Sequence, residues 1–231
     1  ARPPRAAEDV WDGLGTMRYK AEIRIAASDD DARSIIASPG KDEVDGYGIL
    51  ASVHRISIRR DDSTLGWLTA YFMVPEIFGS AGPGKNHQTE RWVGADCADV
   101  LIGAYRAAGR RKAGYTNVAS LTRYARTVVG ATSFDGRGSL EAGSEPVTGV
   151  QVGDIIRIDY GGELAGSTPR AWDHVALLYE DRSDPDGPST GAADGVLDGF
   201  DLVVHMGHPR LKVEPLAEQL PARVDVLRWK K

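Results

Sequence analysis

The stretch Gly94-Ala95-Asp96-Cys97-Ala98-Asp99-Val100-Leu101-Ile102-Gly103-Ala104-Tyr105-Arg106-Ala107-Ala108-Gly109 spells a short amphipathic helix. Val100, Leu101, Ala104 and Ala108 recur along one helical face, and Gly109 stops it. Cys97 then falls in the first turn, where partial positive charge and unpaired N–H groups stabilise a thiolate and can donate to an oxyanion. It is the single cysteine of 231 residues, so no intramolecular disulfide can form, and thiolate-rich zinc and iron–sulfur sites are excluded. A lone cysteine either fills a core gap or does chemistry. The Gly-containing turn before it and the helix after it move the balance toward chemistry without deciding it.

Downstream, three segments read as successive strands: Val152 to Tyr160, entered through Gly153-Asp154, then Trp172 to Tyr179, then Phe200 to Gly207. Three strands in succession imply an antiparallel meander. Alternation puts His174, Ala176 and Leu178 on one face of the second strand, and Asp201, Val203 and His205 on one face of the third. Each histidine sits at a strand end. A histidine there can act as a general base, since its pKa lies near neutrality and a third polar group can fix its tautomer. With Cys97, the two supply a nucleophile, a base and an orienter, the parts that covalent acyl transfer needs. Asp173 precedes His174 directly and projects away from it in a regular strand, so it qualifies as orienter only if the strand starts after it.

Upstream, residues 1 to about 15 read as a flexible lead punctuated by Pro3, Pro4, Gly13 and Gly15. Alternation from Met17 to Ile25 predicts a strand, the run Asp29-Asp30-Asp31 predicts a short helix to Ala37, and Ile49 to Ile58 and Leu65 to Val74 read as two more strands. The best break is Gly79-Ser80-Ala81-Gly82-Pro83-Gly84. It divides the chain into a β-rich region, residues 1–84, and a domain over residues 85–231 that carries the chemistry.

Charge argues against polyanionic partners. Up to Glu90 there are 11 basic against 14 acidic residues, after it 17 against 19, and the signs are interleaved nearly everywhere. Nucleic acid and anionic membranes want a concentrated positive face. No apolar run approaches the ~20 residues of a membrane span. His205-Met206-Gly207-His208 is a poor metal pattern, because positions three apart on a strand point to opposite faces, and no metal or cofactor is expected. Gly191 to Gly199 lacks the Lys-Ser or Lys-Thr pair of a phosphate loop.

Four blocks in order carry a family resemblance: Asp96-Cys97-Ala98-Asp99-Val100, Gly153-Asp154-Ile155-Ile156, His174-Val175-Ala176-Leu177-Leu178 and Val203-Val204-His205. They resemble the signature blocks of the papain-like NlpC and CHAP cell-wall peptidases over residues 85–231. The resemblance implies an α+β papain-like domain, with Cys97 on a helix packed against an antiparallel sheet. It implies Cys97 as nucleophile, His174 as base and His205 as the group that orients it. It also implies an exported cysteine amidase or endopeptidase acting on cell-wall peptides. An acyltransferase or transpeptidase using the same residues, or a non-catalytic binding module, are the alternatives. Gln88, nine residues before Cys97, is a candidate oxyanion donor, and Asp96, Asp173, Trp92 and Trp172 are candidates to line the cleft. Two features depart from the family pattern. Glu180 to Gly199 is a long loop where a tight hairpin is usual, and the Tyr commonly found a dozen residues before the Cys is absent, the nearest upstream being Tyr71.

Overall fold

The computed structural model describes residues 13–25, 34–45, 48–81, 88–161, 172–186 and 191–230. Most of the expected flexible lead, the Asp29-Asp30-Asp31 run and the Gly82-Pro83-Gly84 part of the break lie outside the described residues. The chain is mixed α+β, with mostly antiparallel sheets and few helices.

The centre is a six-stranded sheet. Its strands are β7 (Ala125–Phe134), β8 (Ile155–Asp159), β9 (His174–Glu180), β10 (Leu202–Met206), β11 (Leu211–Pro215) and β12 (Ala222–Trp229). Their spatial order is β11-β10-β9-β8-β12-β7, every neighbour antiparallel, so β8, β9 and β10 form the expected meander. β8 to β10 carry near-continuous apolar runs because both faces are covered. On one face Ile155, Val175, Leu177, Val204, Met206 and Leu227 pack under helix α2 (Cys97–Ala107). On the other, Ile156, Ile158, Ala176, Leu178, Val203 and Val226 pack with Val147, Val150, Leu197 and Leu216 from the long connections.

Asp96 caps α2, its Oδ1 accepting the Asp99 N–H at 2.7 Å, which sets Cys97 at the first helical position. α2 packs against α1 (Thr64–Thr69), which occupies a segment expected to be a strand. The local reason is a cap: Ser63 Oγ accepts the Gly66 N–H at 2.9 Å, and Leu65 and Leu68, three apart, are both buried. Leu65, Leu68, Tyr71, Phe72 and Val74 share the α2 core, so residues before the break at Gly79 help to build the body that carries Cys97.

The N-terminal elements are short. β1 (Gly15–Tyr19) pairs with β6 (His54–Ile58), β2 (Glu22–Ile25) with β3 (Ser34–Ala37), and β4 (Val44–Asp45) with β5 (Gly48–Ile49). The end of the expected Asp29–Ala37 helix is thus strand β3. β1 is docked on the segment after α1. Thr16 N–H donates to the Phe72 carbonyl at 2.9 Å and Thr16 Oγ1 to that of Ala70 at 2.7 Å. A Cβ at Gly15 would lie 2.6 Å from the Phe72 oxygen, and φ there is +109°, so glycine alone allows the approach.

Candidate active site

Cys97 is half-buried at the start of α2. Its own N–H and that of Ala98 are turned toward the sulfur, as is the N–H of Val175, the residue after His174. The helix start is held by a short parallel bridge: Ile77 N–H donates to the Ala95 carbonyl (3.0 Å) and Ala95 N–H to that of Pro75 (3.1 Å). Ser80 Oγ fastens the same turn, donating to Asp99 Oδ2 (2.9 Å) and accepting the Asp96 N–H (3.1 Å). Asp96 Oδ2 accepts the Gly79 N–H at 3.0 Å, so the 77–81 loop is tied to the start of α2, with Phe78 92% exposed at its tip.

Antiparallel pairing brings the start of β9 beside the end of β10, and with it His174 beside His205. His174 Nε2 and His205 Nδ1 are 2.7 Å apart, their rings at right angles. His205 Nε2 lies 2.8 Å from Glu214 Oε1, which also accepts Gln219 Nε2 at 2.6 Å. The Tyr160 hydroxyl donates to Gln219 Oε1, and the Tyr160 ring stacks on His174 at 6.3 Å between centroids. The chain therefore closes on itself around His174.

These contacts fix the tautomers. A Glu214 carboxylate can only accept, so His205 carries its proton on Nε2 and offers a bare Nδ1. His174 then donates from Nε2 and keeps an unprotonated Nδ1, the atom a base needs. Burial, reinforced by His205 whenever that ring is protonated, lowers the His174 pKa to about 3, so the imidazole is neutral at ordinary pH. Burial is also the largest influence on Cys97 and, with the Asp96 carboxylate, pushes the thiol up to about 12 against the opposing pull of the three N–H groups. For Glu214, burial works against ionisation, but the His205 hydrogen bond, the charges of protonated His205 and of Lys212, and the Gln219 hydrogen bond together hold the carboxyl below its usual value. At rest the two groups are a thiol and a neutral imidazole, so a thiolate would form only as the sulfur attacks a substrate.

Cys97, His174 and His205, far apart in sequence, are thus gathered at one end of the sheet. Asp173 does not orient His174: its N–H donates to the Ile158 carbonyl (2.9 Å) and its Oδ2 accepts the Tyr160 N–H (3.0 Å). Trp172 is half-buried between Arg157 and Arg223, whose guanidinium carbons lie 4.5 and 5.3 Å from its ring. Trp92 packs on Tyr71 at 4.1 Å and on Trp67 at 6.3 Å, with φ at +57°. Gln88 is held through its backbone, its N–H to Ser80 and its carbonyl to Val93, both at 3.0 Å. Asp154 of the Gly-Asp entry does structural work, receiving both arms of Arg228 at 2.7 Å. The Glu180–Gly199 connection leaves β9 at the end opposite His174, about 20 Å away for seven strand residues. Leu197 from it is buried in the core with Ala176, Leu178 and Val203.

Glu214, Gln219 and Tyr160 escaped the sequence. Lys212-Val213-Glu214 does alternate after a turn at Gly207–Arg210, and pairing that run with β10 would have set Glu214 on the His205 face. Among the described residues no group of three or more His, Cys, Asp or Glu is placed to hold a metal ion, and no helix is long and apolar enough to cross a membrane. Comparison of the chain with family models, curated proteins and solved structures finds no match.

Proposed function

We propose that the chain is a papain-like cysteine hydrolase that cleaves an amide bond in a peptide, with bacterial cell-wall peptides as the substrate class and the cell exterior as its place of work. The observation that supports this best is the hydrogen-bonded run from Glu214 through His205 to His174, whose next residue, Val175, turns its N–H toward the thiol at the start of a helix.

The steps follow from the groups present. His174 Nδ1 takes the Cys97 proton as the sulfur bonds to the substrate carbonyl carbon. The oxyanion is met by the Cys97 N–H, already aimed into the site. The imidazolium, steadied by His205 and Glu214, returns its proton to the departing amine as the C–N bond breaks. Water then attacks the thioester with His174 again as base, releasing acid and thiol.

Incubation with peptidoglycan and with its isolated peptides, followed by mass spectrometry, tests the proposal. New amine and carboxylate termini are expected from the wild type, with at least a ~1000-fold loss on Cys97→Ala. Amide products in preference to acid when amines are added identify a transferase. A Cys97 no more reactive toward alkylation than a free thiol, with no turnover, identifies a binding module.

A further inference from the structure

Tyr160 follows the last residue of β8 and takes no part in the proposed proton transfers, yet it is tied at both ends to groups beside them. Its N–H donates at 3.0 Å to Oδ2 of Asp173, the residue before His174. Its hydroxyl donates to Gln219 Oε1, at the end of the 3₁₀ turn Leu216–Gln219. The direction of this second bond is forced. The Glu214 carboxylate only accepts, so Gln219 turns its NH2 toward Glu214 Oε1 (2.6 Å) and its carbonyl toward Tyr160, whose hydroxyl must then donate. One carboxylate oxygen thus accepts His205 Nε2 at 2.8 Å and, through Gln219, holds the tyrosine. Burial and the negative charges of a Cys97 thiolate, Glu214 and Asp173 all raise the Tyr160 pKa, so the hydroxyl keeps its proton and remains a donor.

Between these two ties the Tyr160 ring lies offset against the His174 ring, 25° from parallel and 6.3 Å between centroids. Tyr160 is 44% exposed, so its ring adds little to the core, and the contacts that fix it converge on His174 and its partners. The bond to His205 sets where His174 Nε2 points, but one bond does not set the plane of a ring. A base must keep one orientation to collect a proton from a fixed donor. We propose that Tyr160 is a positioning residue for His174: clamped by Asp173 and Gln219, its ring fixes the plane of the imidazole and shields the bond between His174 Nε2 and His205 Nδ1 from water. The purpose of this clamp rests on the cysteine-hydrolase proposal; its existence does not.

NMR of protein carrying nitrogen-15 histidine tests the clamp without a substrate. The His174 Nε2–H proton, identified by its loss in His174→Gln, is expected as a resolved signal slow to exchange with water. In Tyr160→Ala its exchange is expected to be at least about tenfold faster, and in Tyr160→Phe, which keeps the ring and loses one tie, about threefold faster. Gln219→Met cuts the same tie from the other end, so the Tyr160→Phe, Gln219→Met double variant is expected to exchange no faster than Gln219→Met alone. A wild-type exchange rate in Tyr160→Ala, or increases that multiply in the double variant, overturn the clamp. With cell-wall peptides as substrate, Tyr160→Ala is expected to lower kcat about thirtyfold with KM within about twofold of the wild type. A wild type that cleaves none of them overturns the hydrolase proposal separately, and the exchange rates still decide the clamp.

Discussion

At the scale of single residues, Glu214 is the group on which the tautomers of both histidines depend. It does not touch the sulfur; it acts through His205 on His174, and its two roles, accepting a proton-bearing nitrogen and supplying charge, can be separated. Glu214→Gln can still accept from His205 Nε2 at the same oxygen, so the tautomers stay and only the charge is lost. kcat/KM is expected to fall about tenfold with little change in KM. Glu214→Ala leaves a buried N–H unpaired and frees His205 to turn, and a fall of about a hundredfold is expected. A merely structural glutamate would give losses that follow thermal stability, whereas here the Gln variant is expected to keep the wild-type melting temperature while losing rate. Cys97, His174 and His205 were legible in the sequence because each sits at a boundary of an element whose periodicity is local. Glu214 was not, since its role arises only when β11 pairs with β10, and nothing within Leu211–Pro215 announces that register.

At the scale of elements, the residue that leads into β10 carries a fully buried carboxyl with no part in the proposed chemistry. Asp201 is fully buried, its oxygens accepting the Arg182 and Asp198 N–H groups at 2.8 Å each. These two bonds tie the beginning of β10 to the 181–199 connection. Burial, partly opposed by those N–H groups, raises its pKa to about 8. A carboxyl with a raised folded pKa favours folding while protonated, so its contribution is full below the unfolded value near 4 and is lost as pH rises toward 8. His174 works the other way, because its folded value of about 3 makes stability grow with pH only up to the unfolded value near 6.5. Between pH 6.5 and 8 Asp201 therefore acts without opposition from His174. Thermal unfolding is expected to show a melting temperature that falls across that window, and a flatter profile in Asp201→Asn. An equal slope in both proteins would assign the effect to other groups. Element type was legible where runs were long, as in α2 and the β8–β10 meander. It failed at Leu65–Val74, a short apolar run that fits strand or helix equally until the Ser63 cap decides.

At the scale of the whole molecule, the β1–β6 ribbon is held by means opposite to the sheet's. Its exposed face carries Tyr19, Ile56 and Ile58, while Thr16, Ser57, Arg18 and Arg55 are wholly or partly buried. Arg18 and Arg55 are directly opposite across the ribbon, an unfavourable apposition of like charges. What offsets it is a set of backbone carbonyls. Arg18 Nη1 donates to Met73 at 3.0 Å and Nη2 to Trp92 at 2.9 Å, and Arg55 reaches Leu50, Ala51, Val53 and Arg91. Met73 and Trp92, with φ at +68° and +57°, are the only non-glycine residues at positive φ among those described, and Arg18 fastens both. Two and three residues beyond them, the Pro75 carbonyl accepts the Ala95 N–H beside the start of α2. The ribbon thus braces the strained turns that lead into the Cys97 segment. Arg18→Ala leaves two carbonyls unpaired and is expected to lower unfolding free energy by about 1–3 kcal/mol in urea, somewhat moderated by relief of the Arg55 repulsion. Ile56→Thr and Ile58→Thr on the exposed face are expected to stay within about 0.5 kcal/mol of the wild type. The reverse order, with the isoleucines costly and Arg18 silent, would mean that the ribbon is held by apolar burial instead. Composition alone could not distinguish these cases, because alternation marks two faces of a strand without saying which of them turns inward.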